Sequence, residues 1–284
     1  MKYTLYIILF ASMFSCSSDD NQETETPNTL IIKHIIDVRE NNERNFYFDL
    51  NGRLVSITDT NALPEYNYIL SEFEYSNDNK LNSSYHTYGT EEAFINLTYT
   101  DESISNYHYI TFGYSTDSNV VINNNILNYN DQMDSDIEED DLNIQWTFSS
   151  DNLKYLTQKK VTLINNANSV WNLTDYTYDS NFNIIESHTS INYGTEADYS
   201  NTYTYDDKKN PIAESMDGYN LALYFMDDHN TIDMSPNNVL SKTDNQGNTL
   251  TYNYVYNDDD YPMSVTITNV ATGEVINTLT YTYY

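Results

Sequence analysis

The feature that most limits what this chain can fold into is a recurring local pattern. Two aromatic residues stand two positions apart, an Asp/Asn cluster follows, and an apolar residue comes next. The fullest copy is Tyr203-Thr204-Tyr205-Asp206-Asp207-Lys208-Lys209-Asn210-Pro211-Ile212. In a strand the rings of Tyr203 and Tyr205 share one face while Thr204 points to the other. Aromatic and β-branched residues suit a pleated surface. Asp206 to Asn210 brings turn formers and charge that end a buried strand, and Ile212 is expected to begin its return. The pattern predicts a hairpin.

Further copies are Phe46-Tyr47-Phe48-Asp49 with Asn51-Gly52 and Leu54, Phe73-Glu74-Tyr75-Ser76 with Leu81, and Tyr176-Thr177-Tyr178-Asp179 with Ile184. Weaker ones end at Tyr99, Tyr129, Phe148, Phe225, Tyr256 and Tyr283. A spacing of roughly 20 to 30 residues accommodates two strands and two turns, so each unit reads as one hairpin. The expected fold is all-β: a large antiparallel meander of repeated hairpins, forming a strongly curved sheet or a soluble barrel. Tyr accounts for 29 of the 284 residues, so the core must be built largely from rings whose hydroxyls need partners.

The aromatic-x-Tyr-Asp, polar turn, apolar pattern resembles the YD repeats of Rhs-type proteins. More closely, the chain resembles Bacteroidota surface lipoproteins of unknown function that carry degenerate YD repeats. Their porin-like fold is what that resemblance implies here. It is plainest from Ser235-Pro236-Asn237-Asn238-Val239-Leu240 through Tyr252-Asn253-Tyr254-Val255-Tyr256 into Asn257-Asp258-Asp259-Asp260-Tyr261-Pro262. Gly, usual in the turn of such repeats, is supplied among the best copies only by Gly52.

Residues 1–15 read as a lipoprotein signal peptide. Lys2 gives the positive start, Tyr3 to Phe14 the apolar run, and Ser15 the small residue before Cys16, the single cysteine. The run is too short to span a bilayer as a helix. Met13-Phe14-Ser15-Cys16 resembles a lipobox, which implies lipidation at Cys16. Residues 16–28 read as a disordered acidic tether. Acidic residues just after the lipidated cysteine resemble the signal that sends such lipoproteins to the outer membrane, facing the cell exterior. Residues 29–284 are expected to form a single YD-repeat-like β domain, with a first strand over Thr29 to Val38 and no Pro- or Gly-rich linker.

The segment 131–141 carries Asp134, Asp136, Glu138, Glu139, Asp140 and Asp141. It reads as a solvated loop; a calcium site is the alternative, although the glycine of an EF-hand loop is missing. Asp258-Asp259-Asp260 reads as the turn of its repeat. The aromatic C-terminal strand invites comparison with a membrane barrel, but Thr, Asn and Asp occupy too many positions of the face that would meet lipid.

No catalytic residue, metal site or cofactor is indicated. His34, His86, His108, His188 and His229 are dispersed and form no metal-binding spacing. There is no phosphate loop and no nucleophile elbow. A carboxylate-dependent hydrolase stays open as an alternative, because 43 acidic residues contain many pairs. Loss of residues 1–15 leaves eleven basic against 43 acidic side chains, a net charge of −32. Nucleic acid and anionic surfaces are repelled by such a chain.

The partners expected are therefore the membrane, through the lipid on Cys16, and a glycan, small-molecule or protein ligand, with aromatic faces doing the binding. The leading reading is a lipid-anchored binding or scaffold module of the cell envelope. A structural role at the cell surface, as in Rhs shells, is a further alternative, without a toxin domain.

Overall fold

The computed structural model describes residues 30–284 apart from 40–41, 62–68, 79, 89–90, 101–102, 112–113, 132–141, 150–154, 164–165, 192–197 and 216–234. The signal peptide, Cys16, the tether, His229, the repeat copy ending at Phe225 and nearly all of the acidic loop lie outside these residues. Among the described residues nineteen strands form one sheet. They are β1 (Ile32–Arg39), β2 (Asn42–Phe48), β3 (Leu54–Asn61), β4 (Ile69–Tyr75), β5 (Leu81–Tyr88), β6 (Glu91–Thr100), β7 (Ser103–Thr111), β8 (Tyr114–Asn119), β9 (Val121–Asn123) and β10 (Ile126–Asp131). The second half comprises β11 (Leu142–Phe148), β12 (Leu156–Leu163), β13 (Asn166–Tyr178), β14 (Ile184–Ile191), β15 (Tyr199–Lys209), helix α1 (Pro211–Ser215), β16 (Asn237–Asp244), β17 (Thr249–Tyr256), β18 (Pro262–Asn269) and β19 (Val275–Tyr283).

The sheet closes on itself. Successive strands pair antiparallel, and β1 pairs with both β2 and β19. Strands β8 and β9 are two halves of one bent strand: the first pairs with β7, only Val120 intervenes, and the second pairs with β10. Counted so, the described strands make eighteen passes. An even number is what antiparallel closure demands, because the last pass must oppose the first.

Three devices recur at the end of the barrel where the aromatic pairs terminate. The first is the turn. Asp49 Oδ1 accepts the N–H groups of Asn51 at 2.9 Å and Arg53 at 3.0 Å, while its own N–H donates to the Arg53 carbonyl. Asp179 repeats this with Asn181 and Asn183, and Asn257 with Asp259 and Tyr261. One residue in each loop takes a left-handed φ: Gly52 at 75°, Phe182 at 66° and Asp260 at 66°. Glycine meets that requirement without strain, whereas a side chain costs about 1 kcal/mol or more there. Phe182 offsets part of it by stacking on Tyr155, ring centroids 4.4 Å apart.

The second device is a bulge beside each turn. The last aromatic of a repeat sits opposite the apolar restart residue, as in Phe48 with Leu54, Tyr75 with Leu81, Tyr178 with Ile184 and Tyr205 with Val239. One residue is skipped in each ladder, which bends the strand and increases its twist. The restart residues Leu54, Leu81, Leu156 and Ile184 are all buried. They anchor the interior.

The third device links one hairpin to the next. The hydroxyls of Tyr75, Tyr99, Tyr178, Tyr205 and Tyr283 donate at 2.7 Å to the carbonyls of Leu54, Leu81, Leu156, Ile184 and Pro262. Each acceptor is the restart residue of the preceding hairpin. Burial disfavours the phenolate, and the Tyr99 hydroxyl is pushed up to about 12.

Register assigns the two faces. Ile35, Phe46, Ile57, Phe73, Ile95, Leu97, Leu127, Trp146, Val265 and Tyr281 lie on the inner face and belong to one continuous cluster. Ile184, Tyr203 and Val239 form a second, smaller one, with Tyr176 and Tyr252 packed against both. Farther from the turns the inner face turns polar: Arg44 donates to Asp59 Oδ2 at 2.6 Å and 2.9 Å, and Asp37 takes Arg39 and Asn277. The alternate positions, such as Thr58, Glu72, Asn96, Thr251, Thr266 and Thr280, face outward. Exposed apolar residues such as Phe94, Ile110 and Val255 stand among these polar ones on the same outer face.

Three sequence expectations are corrected here. Ile212 does not begin a return strand: Pro211 fixes φ and lacks an N–H, and it opens a helical turn instead. Asn210 caps it, its Oδ1 accepting the Ile212 N–H at 3.0 Å. The return strand is β16, from Asn237. Leu127-Asn128-Tyr129 lies on β10, which runs away from the turn end, so Tyr129 closes no repeat; the strand that reaches the turn end there stops at Asn123. The first strand starts at Ile32, and the described residues Leu30 and Ile31, expected within it, precede it.

The turn carboxylates set a pH dependence. Burial opposes ionisation of Asp179, but the hydrogen bonds from Asn183 and Asn181 outweigh it and hold its carboxyl below its usual range. Asp49 behaves likewise with Arg53, while at Asp244 the hydrogen bonds from Asn248 dominate. A depressed folded pKa adds stability above the unfolded value of about 3.9, lost as pH falls through the folded one. Urea midpoints are expected to be flat from pH 7 to 5 and to drop below pH 4. Asp179→Asn should fold, as Asn257 does the same work, and should show a shallower drop. Tyr178→Phe is expected to cost about 1 kcal/mol in urea unfolding, through loss of its hydrogen bond.

Candidate functional site

One repeat is opened instead of being closed by a short turn, and a groove forms there. In the copy built on Tyr203 and Tyr205, Asp206 still accepts the Lys208 N–H at 3.0 Å. The second N–H, which in other turns comes from the residue four positions on, comes from Asn238 at 3.1 Å. The turn has been opened between Lys209 and Asn237, and its two halves are held together by side chains. Asn237 Nδ2 donates to the Lys208 carbonyl, Asn238 Nδ2 to the Lys209 carbonyl, and Asn210 Nδ2 to the Ser235 carbonyl. Asn183 ties this to the neighbouring turn through both its amide and its carbonyl with Asn237.

The next link changes in consequence. By the pattern of the other repeats, the Tyr256 hydroxyl should reach the carbonyl of Val239. It donates instead to Asp206 Oδ2, with Asn238 Nδ2 nearby. Burial and then the Asp206 carboxylate raise the Tyr256 pKa far above its ordinary value, so this hydroxyl stays protonated. Strands β16 and β17 are registered only over Ser241–Thr243 against Thr249–Thr251. Toward the turn end they diverge.

The groove occupies this divergence. Its volume is about 270 Å³, and Tyr252, Asn253, Tyr254 and Tyr256 line it from β17. Leu240 lines it from β16, and Asp206, Asp207 and Lys208 from the end of β15. Period-two spacing puts the three tyrosines on one face of β17; Tyr254 and Tyr256 stack with centroids 5.6 Å apart. Leu240, the bulged residue of β16, is exposed. The volume lies just under the span of about 300–1,000 Å³ usual for ligand pockets. A single ring or a short stem fits it.

The four described histidines make separate contacts. His34 stacks on Tyr47 on the outer face, and His86 is buried between Ser71 and Ser84, 2.8 Å from each hydroxyl. His108 meets Asp117, and His188 lies 3.5 Å from Asp198. Among the described residues no group of three or more His, Cys, Asp or Glu side chains could hold a metal ion. Asp258 to Asp260 form the turn expected of them, with Asp260 paired to Lys208 at 2.8 Å. By sequence the groove residues read as repeat residues and not as a binding site. Pro211, placed where the return strand should begin, was the available signal.

No protein-family model matches the chain, and no curated protein matches it. Among solved structures it is similar to a porin-like protein from Bacteroides uniformis, at 13% identity and TM-score 0.47, over 90% of this chain and 98% of that one. It is also similar to a porin-like protein from Bacteroides vulgatus, at 12% identity and TM-score 0.37, over 90% and 99%. A Photorhabdus luminescens Tc holotoxin pore matches at 12% identity and TM-score 0.30, with 84% of this chain spanning 12% of that one. At such identities and scores the likeness carries no inference about activity.

Asp206→Ala removes the acceptor for two backbone N–H groups and the Tyr256 hydroxyl at once. It is expected to cost about 2–3 kcal/mol in urea unfolding, the range for hydrogen bonds to a charged group.

Proposed function

We propose that this chain is a lipid-anchored, non-enzymatic binding module of the cell envelope, and that the groove between β16 and β17 is its ligand site. The observation that supports this is the departure of one repeat from all its neighbours. Asp206, Asn238 and Tyr256 hold an opened turn rigidly, and a Tyr-lined groove stands beside it. Positioning by a rigid scaffold is what binding segments use. Tyrosine offers an apolar face with a polar tip, suited to glycans and small ring compounds.

The anchor is Cys16, on a tether that enters the barrel at β1. Because β1 starts where β19 ends, beside Tyr283, the tether joins the turn end, and the groove lies at that same end.

Two measurements test this. Replacement of Cys16 by Ser is expected to abolish incorporation of radiolabelled palmitate and release the protein from membrane fractions; continued membrane retention overturns the anchoring. A glycan array and a small-molecule thermal-shift screen on the mature chain are expected to yield ligands whose affinity falls about tenfold or more in Tyr254→Leu. Ligands indifferent to that change would move the site elsewhere.

A further inference from the structure

Resting on the reading of the groove as a ligand site, we infer that its ligand is a small organic cation, an ammonium or guanidinium carried on an apolar stem. Four charged side chains flank the groove. The Asp206 carboxylate is occupied by the Tyr256 hydroxyl and by the N–H groups of Lys208 and Asn238. Lys208 Nζ is held 2.8 Å from Asp260. The next lysine, Lys209, is turned to Glu214 at 3.2 Å. Lys208 lines the groove, but its ammonium is engaged by Asp260 and also feels the Asp207 and Asp206 carboxylates, which outnumber it there. Asp207 is exposed and lines it, and it makes no hydrogen bond among the described residues.

The rest of the lining suits the same ligand. The faces of tyrosine rings carry negative potential and attract a cation, an attraction that grows as water is excluded. Tyr252, Tyr254 and Tyr256 supply such rings along one strand, and Leu240 supplies an apolar wall for a stem. The field of a chain with net charge −31 draws cations toward it from every side. A neutral sugar would use the rings but gain nothing from the carboxylates, and an anion would meet two carboxylates against the one Lys208 ammonium.

The test uses two probes of one shape, butylguanidinium and butylurea, titrated by calorimetry into the intact mature chain. Butylguanidinium is expected to bind about tenfold more tightly than butylurea at low salt, with the preference shrinking as ionic strength passes about 0.15 M. Asp207→Asn, an exposed change that leaves the fold intact, is expected to abolish the preference and leave butylurea unaffected. Tyr254→Leu should weaken both probes. Equal affinity for the two, or a preference that survives in Asp207→Asn, overturns the cation inference; if Tyr254→Leu still weakens both, the groove stands as the site. Binding of both probes unchanged in Tyr254→Leu, or no binding of either at about 10 mM, overturns the groove along with it.

Discussion

Everything in this barrel depends on satisfying backbone groups at one end with side chains that the repeat itself supplies. A turn that leaves a strand exposes N–H groups with no ladder partner, and a bulge exposes a carbonyl. The carboxylate or amide of the turn residue takes the first, and the tyrosine of the following hairpin takes the second. Because donor and acceptor come from different hairpins, each unit is completed only by the next. Stability therefore passes round the ring by nearest-neighbour contacts, as in repeat proteins generally, except that a closed ring has no end units needing caps.

Much of this was legible in the residues. Period-two spacing of Tyr176 and Tyr178 gave their common face, Asp179 gave the turn, and Ile184 gave the buried restart. All three follow from local stereochemistry. Closure was not legible, because the pairing of β1 with β19 joins residues some 240 positions apart, and no local pattern encodes it. Direction was also hidden: an apolar residue two places from an aromatic one reads the same on a strand approaching a turn as on one leaving it, which is how Tyr129 came to be grouped with the strand ends. The site was hidden for a third reason. Asn-Pro after a polar run suits a hairpin turn and a helix start alike, and only the contacts of Asn210 with Ser235 and Ile212 decide between them.

The groove follows from that ambiguity. Where the chain leaves the ladder after Lys209 and rejoins it at Asn237, the turn's hydrogen bonds are kept but its covalent continuity is not. Asp206 then serves two segments far apart in sequence, and Tyr256, drawn to that carboxylate, no longer closes β17 onto β16. A small departure in one repeat thus becomes a shaped recess, while the neighbouring repeats hold its walls in place.

The even number of passes has an evolutionary consequence. A strand gained or lost singly would set two neighbours parallel and swap the inner and outer faces of everything beyond it, bringing threonines into the core and rings into water. Change in girth is therefore quantised in hairpins of about two dozen residues. Duplicating or deleting one whole copy of the motif preserves polarity, register and closure together. A lineage of such chains can vary its circumference while every surviving copy keeps its own contacts.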